Sequence, residues 1–223
     1  MASEVEICNI ALGFIGDESV VTSINPPDGS VQAMHCARFY PLVRDMLLEM
    51  HAWRCNTRRS NIAKLNITPP VGWAFAYQLP NNCIQPISVL LPGALPDLFS
   101  TVNTNILTPA ATDTLNSQDY VVETLDDGSF VLYTNTDSAQ LIYKVAITDT
   151  GKFSPSMTLA LGRYLASFLA GPIIKGDDGA KIGSAQLKMF MEMDFLKAKE
   201  ADANARQSNP YNNSTPAPIA ARA

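Results

Sequence analysis

Charge is scarce in this sequence. Only 17% of its 223 residues are Asp, Glu, Lys or Arg, against about a quarter in an ordinary soluble domain. Asn, Thr, Ser, Pro and Gly take the missing places. A soluble chain with so little charge often hides surface in an assembly. Long apolar runs are missing too. No eighteen consecutive apolar residues occur, so no membrane span is expected. The start, Met1-Ala2-Ser3-Glu4-Val5-Glu6, carries acids where a secretory signal would carry Lys or Arg. A net charge of −5 and a pI near 5.0 argue against general nucleic-acid binding by phosphate neutralisation.

Metal and catalytic motifs are equally sparse. The four cysteines, Cys8, Cys36, Cys55 and Cys83, lie too far apart for a zinc knuckle or a redox dithiol. They read as small apolar groups of a reducing compartment. The two histidines, His35 and His51, begin no metal motif. Neither G-x-S-x-G nor G-x-G-x-x-G occurs. Gly171-Pro172-Ile173-Ile174-Lys175-Gly176-Asp177 lacks the Lys-Ser/Thr that a phosphate loop needs after its second glycine. Gly176-Asp177-Asp178-Gly179 lacks the alternating oxygens and distal Glu of a calcium loop, and reads as a turn before a helix. His35 and Cys36 are helix neighbours pointing about 100° apart, which defeats Cys–His catalysis. Asp126-Asp127 could join another carboxylate as an acid–base pair for glycoside cleavage, but its place at a hairpin tip favours a solvated turn.

The elements present predict an α+β fold. Ser3 and Glu6 form a capping box for a first helix, with Val5, Cys8, Leu12 and Ile15 at helical spacing and Gly13 and Gly16 ending it. Asp28 or Ser30 caps a second helix to about Trp53, its apolar stripe being Val31, Met34, Phe39, Val43, Met46, Leu47 and Met50. Pro41 should kink or restart it. Residues 84–91 read as a strand. The polar stretch from Pro92 to Gln118 reads as a long loop. Three runs, 120–125, 130–133 and 141–147, read as an antiparallel meander whose first turn is Asp126-Asp127-Gly128. Ser154-Pro155 starts a third helix, ended by Gly171-Pro172, and a last helix runs from about Asp178 to Ala205. The domains are expected at 1–68 (helical), 69–152 (β-rich insert) and 153–206 (helical again), with a disordered tail at 207–223.

Charge is unevenly spread along this order. Residues 97–150 carry −7, from Asp97, Asp113, Asp119, Glu123, Asp126, Asp127, Asp137 and Asp149 against Lys144 alone. Arg54, Arg58, Arg59 and Lys64 form a stretch with no acid. Either these are two solvated faces, or they are opposite charges suited to head-to-tail subunit packing.

One set of residues carries a resemblance. Phe39-Tyr40-Pro41 followed by Arg44-Asp45 and Leu48, then Trp53, then Arg58-Arg59, then Gly72-Trp73 through Ala76-Tyr77, Leu79-Pro80 and Cys83 form the pattern. Together with Ile7-Cys8-Asn9-Ile10-Ala11-Leu12 and the late helix 159–170, it resembles the tail tubular protein A family of short-tailed bacteriophages. The resemblance covers most of residues 5–205 and is weakest over 92–118. It implies a helical domain joined to a β-rich domain, in a structural virion protein that is not an enzyme and holds no cofactor. Such proteins form a dodecameric ring, the head-to-tail adaptor, between portal and tail nozzle, and the genome passes through the channel at ejection without sequence-specific binding. The expected location is the virion tail, after synthesis in the host cytoplasm, with no membrane partner. A virion-associated polysaccharide-degrading enzyme is the alternative.

Interface candidates follow from that reading. Tyr40 and Trp53 are amphipathic anchors, and Arg44 and Asp45 could pair with neighbouring helices or across subunits. Arg54, Arg58 and Arg59 are the first choice for a charged subunit contact. Tyr211, the tail's one aromatic, marks a segment expected to order against the portal. The acidic insert is a candidate channel or nozzle surface, since a negative lumen repels DNA phosphates. The competing reading is that Tyr40, Arg44, Trp53 and Trp73 simply hold the helices to the β-rich part.

Overall fold

The structure, a computed structural model, describes residues 2–18, 20–91 and 117–205. Helix α1 (Glu4–Phe14) opens on the expected capping box. The Ser3 hydroxyl accepts from the Glu6 amide at 3.1 Å, and the Glu6 carboxylate accepts from the Ser3 amide at 2.7 Å. Helix α2 (Val31–Met50) uses both expected caps in series. Ser30 accepts from the Ala33 amide, while Asp28 accepts from the Ser30 amide and hydroxyl. Bonds from Thr22 and Ser30, the Thr22 amide first, hold the Asp28 carboxyl below the usual carboxylate range.

Two expectations for α2 need correction. The helix stops at Met50 and leaves Trp53 outside it, and Pro41 sits within a continuous run. The buried stripe is Ala33, Cys36, Tyr40, Val43 and Leu47, whereas Val31 and Met34 are 54% and 52% exposed. Apolar residues occupy both faces of α2, and periodicity alone does not say which face meets the core.

Helix α3 (Pro155–Ile174) begins as expected, with the Ser154 hydroxyl accepting from the Met157 amide. It runs through Gly171-Pro172 because Ile173 and Ile174 pack on the core, and it ends only at Lys175, where φ is +62. Helix α4 (Gly176–Met189), a π-helical turn (Phe190–Asp194) and helix α5 (Phe195–Asn204) follow in one rod. Helices α1, α2 and α4 all pack on α3. By length and composition α3 could cross a membrane, but 56% of its apolar window is buried inside the protein. Thr158, Gly162, Arg163 and Ser167 interrupt it, so a scan for unbroken apolar runs passes it over.

Two antiparallel sheets complete the α+β fold. One has the order β1-β7-β3-β4, from β1 (Thr57–Asn61), β7 (Gln140–Val145), β3 (Cys83–Leu90) and β4 (Ser117–Gln118). The other is β2-β6-β5, from β2 (Phe75–Gln78), β6 (Phe130–Thr134) and β5 (Tyr120–Thr124). The expected hairpin forms between β5 and β6, closed by Gly128 at φ +82. The expected meander does not. After β6 the chain crosses to the other sheet, and β7 lies between β1 and β3. Leu141 through Val145 are all buried, and a strand covered on both faces belongs in the middle of a sheet. Pro86 is accommodated in β3 by a shift of register against β7.

Alternation sorts the smaller sheet into two faces. Phe75, Tyr77, Tyr120, Val122 and Leu132 face the main core, which is continuous with the helices. Ala76, Val131 and Tyr133 face a second, small cluster with Leu65, Trp73, Val121 and Leu125. Trp73 therefore packs on the far face of this sheet rather than joining it to the helices. The loop expected over 92–118 lies outside the described residues except for Ser117 and Gln118, which form β4.

Candidate functional site

The turn from α2 into β1 gathers most of the residues singled out in the sequence. A helix ends with carbonyls that lack intrahelical partners. Three of those in α2 find side chains here. Trp53 donates its indole N–H to the Leu47 carbonyl at 2.8 Å, Asn56 donates to Leu48 at 2.9 Å, and Lys144 donates to Glu49 at 2.6 Å. The Lys144 ammonium also donates to Gln85 Oε1 at 2.8 Å. Burial pulls its pKa down, partly opposed by Glu49. From α5, Asp202 accepts the Arg54 amide at 3.0 Å and lies 3.8 Å from His51 Nε2. Trp53 is edge-on to both His51 and Phe195.

Tyr40 and Trp53 are each 1% exposed. Their own chain encloses them in the main core, Trp53 at the turn into β1 against His51 and Phe195, so neither offers a surface to a partner. The Tyr40 hydroxyl is buried without a hydrogen-bond partner among the described residues. Burial, reinforced by Glu4, raises its pKa. Arg44, mostly buried, pairs with its own neighbour Asp45 at 2.9 Å and lies 5.9 Å from the Tyr40 ring. Asp45 is half exposed.

Arg54, Arg58 and Arg59 are exposed. Thr57–Asn61, read in the sequence only as a basic stretch, is the edge strand β1, with Arg58 opposite Tyr143 and Arg59 opposite Ile142. One Arg58 nitrogen donates to the Cys55 and Thr57 carbonyls. Neither Arg58 nor Arg59 is in an ion pair among the described residues. Lys64 differs, pairing with Asp137 at 3.2 Å over the Phe75 ring.

The acidic segment divides in the same way. Asp137 and Asp149 pair with Lys64 and Lys152. Asp119, Glu123, Asp126 and Asp127 are exposed along β5 and its hairpin. Ser129 donates to Asp127 through its amide and hydroxyl, which lowers that carboxyl's pKa, the hydroxyl first. Asp97, Asp113 and Tyr211 lie outside the described residues, as does the tail 207–223.

The cysteines are free thiols. Cys8 and Cys36 are buried and hydrogen-bonded to each other, which with burial holds the Cys8 thiol up. Burial pushes Cys83 up to about 11. No group of three or more His, Cys, Asp or Glu among the described residues is arranged to hold a metal ion. Lys144 and Asp202 escaped the sequence reading as structural residues. Lys144 stood out only as one base among acids, and Asp202 meets Arg54 across 148 positions, a separation no local pattern spans. No protein-family model matches this chain, and comparison with curated proteins finds no match.

Proposed function

We propose that this chain is a non-enzymatic structural subunit of a phage head-to-tail adaptor, working as a dodecameric ring between portal and tail nozzle around the path of ejected DNA. The reading starts from the tail tubular protein A-like motifs. The α+β fold agrees with what they imply. The observation that carries it is α2, the helix bearing the Phe39-to-Leu48 motif. Its inner stripe is buried, while Val31, Met34 and Leu42 on the other side are each more than half exposed. An apolar stripe left uncovered in a low-charge protein favours contact with neighbours. Further exposed apolar residues occur at Leu187, Met189, Met191, Met193 and Leu196. The virion tail is the proposed location, and the acids of β5 and its hairpin are a proposed channel-side or subunit-side surface.

The test is electron microscopy of the full chain mixed with portal particles from a candidate phage. Rings stacked on the portal are the expected result. Absence of rings, with release of reducing ends from capsular or wall polysaccharide, would replace this reading by the enzymatic one. Deleting residues 207–223 is expected to leave a folded protein with weakened portal binding. Equal binding would remove the tail, with Tyr211, from the portal contact.

A further inference from the structure

Strand edges are the places where a sheet can accept another strand. In the smaller sheet, the outer side of β2 is already occupied: the Leu65 amide donates to the Ala76 carbonyl at 2.8 Å, and the Gln78 amide to Ala63 at 2.9 Å. Strand β4 is only two residues long. That leaves β1 and β5, which lie on different sheets and have no strand on their outer sides among the described residues. Each is five residues long, about 17 Å at the usual rise.

The two edges carry opposite charge. Strand β1 presents Arg58 and Arg59. Strand β5 carries Glu123 and continues into Asp126, all of them exposed. Joining β1 to β1 would bring two arginine pairs together, and joining β5 to β5 would bring two acidic edges together. Only the unlike pair matches in both length and sign.

We propose that β1 of one copy pairs with β5 of the next, extending the sheet across the subunit boundary. The proposal rests on the ring reading and names the surface by which one copy takes its neighbour. Because the two surfaces differ, the contact is head-to-tail. Such contacts close into a ring or run on as a filament, and they do not stop at a symmetric dimer. Arginine on one edge and acid on the other favour the unlike pairing, since like charges brought together are strongly disfavoured.

Charge exchange tests this in the full chain. One variant carries Arg58→Glu with Arg59→Glu, and the other carries Glu123→Arg with Asp126→Arg. Sedimentation at low salt reads self-association, and microscopy reads rings on portals. Each variant alone should lose association by roughly tenfold or more, while an equimolar mixture, or both exchanges in one chain, should recover it. A conservative variant with Arg58→Lys and Arg59→Lys guards against misfolding. It should still assemble, and a zero-length carbodiimide should link the new lysines to Glu123 or Asp126 of another copy. If the exchanged variants form rings as the parent does, the edge pairing is wrong and the ring reading stands. If association rises on removing the arginines, they serve to block that edge, and the proposal is overturned. If the parent forms no rings, the ring reading falls. Salt-sensitive self-association lost in each variant and recovered in the mixture would then keep the edge pairing, and its absence would end both.

Discussion

Arg163 and the arginine pair of β1 are the same residue type in opposite circumstances. The Arg163 side chain is 15% exposed, and its partner Asp194 only 9%. Its Nε donates to Asp194, an Nη donates to Gln186 at 2.8 Å, and the guanidinium lies 4.1 Å from the Phe14 ring. Three segments distant in sequence are thereby tied together: the end of α1, α3, and the rod of α4 with its π turn. Arg58 and Arg59 tie nothing together beyond their own turn. A guanidinium whose charge and face are engaged inside the chain works for the fold. One left exposed on a strand edge is available to a neighbour.

The strongest way to break this contrast is to remove one half of the enclosed pair. Asp194→Ala leaves Arg163 charged without its carboxylate, and stability should fall by about 3–5 kcal/mol, read by urea denaturation. A loss no larger than that of a surface mutation would place Arg163 with the edge arginines. The next effect concerns the close approach that brings the α4 rod to Arg163. A Cβ at Gly179 would lie 2.9 Å from the Ala170 carbonyl oxygen, and backbone there has little room to move. Gly179→Ala should cost about 1–3 kcal/mol, measured the same way, while an alanine at exposed Gly13 should not.

Alkali separates the two uses of charge by another route. Arginine keeps its proton throughout the accessible range, but partly buried and buried thiols and phenols do not stay neutral when the chain unfolds. Cys83 is raised from 9.0 to about 11 by burial. Cys55, Tyr40, Tyr120 and Tyr164 are also raised, burial being the first cause in each. Since the unfolded chain loses these protons first, stability from them is fully present below pH 9 and declines as pH rises toward 11. Denaturation midpoints across that window should fall, and Cys83→Ser should reduce the slope. The smallest effect belongs to the edge. Arg58→Glu with Arg59→Glu should change monomer stability by no more than about 0.5 kcal/mol, even though it abolishes the proposed self-association. A large loss of stability there would erase the distinction.

Much of the fold was legible because its signals are local. The Ser3–Glu6 box, the Ser30 and Ser154 caps and the Asp126-Asp127-Gly128 turn each depend on residues within a few positions of one another. The places where the reading failed depend on distant partners. The buried face of α2 was set by what packs against it, since Val31 and Met34 are as apolar as the residues that are buried. Strand β1, with its sequence Thr-Arg-Arg-Ser-Asn, has no apolar alternation and exists because β7 gives it a ladder. The site residues followed the same division. The exposure of the basic stretch was visible in the sequence, whereas the enclosure of Tyr40 and Trp53 stood there only as the competing reading, which packing decided.

By itself the sequence determined where helices start, where the hairpin turns, and that acid and base are segregated along the chain. These rest on caps, turn geometry and composition, each acting within a few residues. Only the tertiary structure decided which apolar face is core, that β7 leaves its hairpin neighbours for the other sheet, and that the basic stretch becomes a strand edge. Those outcomes are set by burial and pairing between segments far apart in the chain. Among the described residues, the charge that is present includes one ion pair enclosed within the fold, Arg163 with Asp194, and two unlike strand edges left exposed.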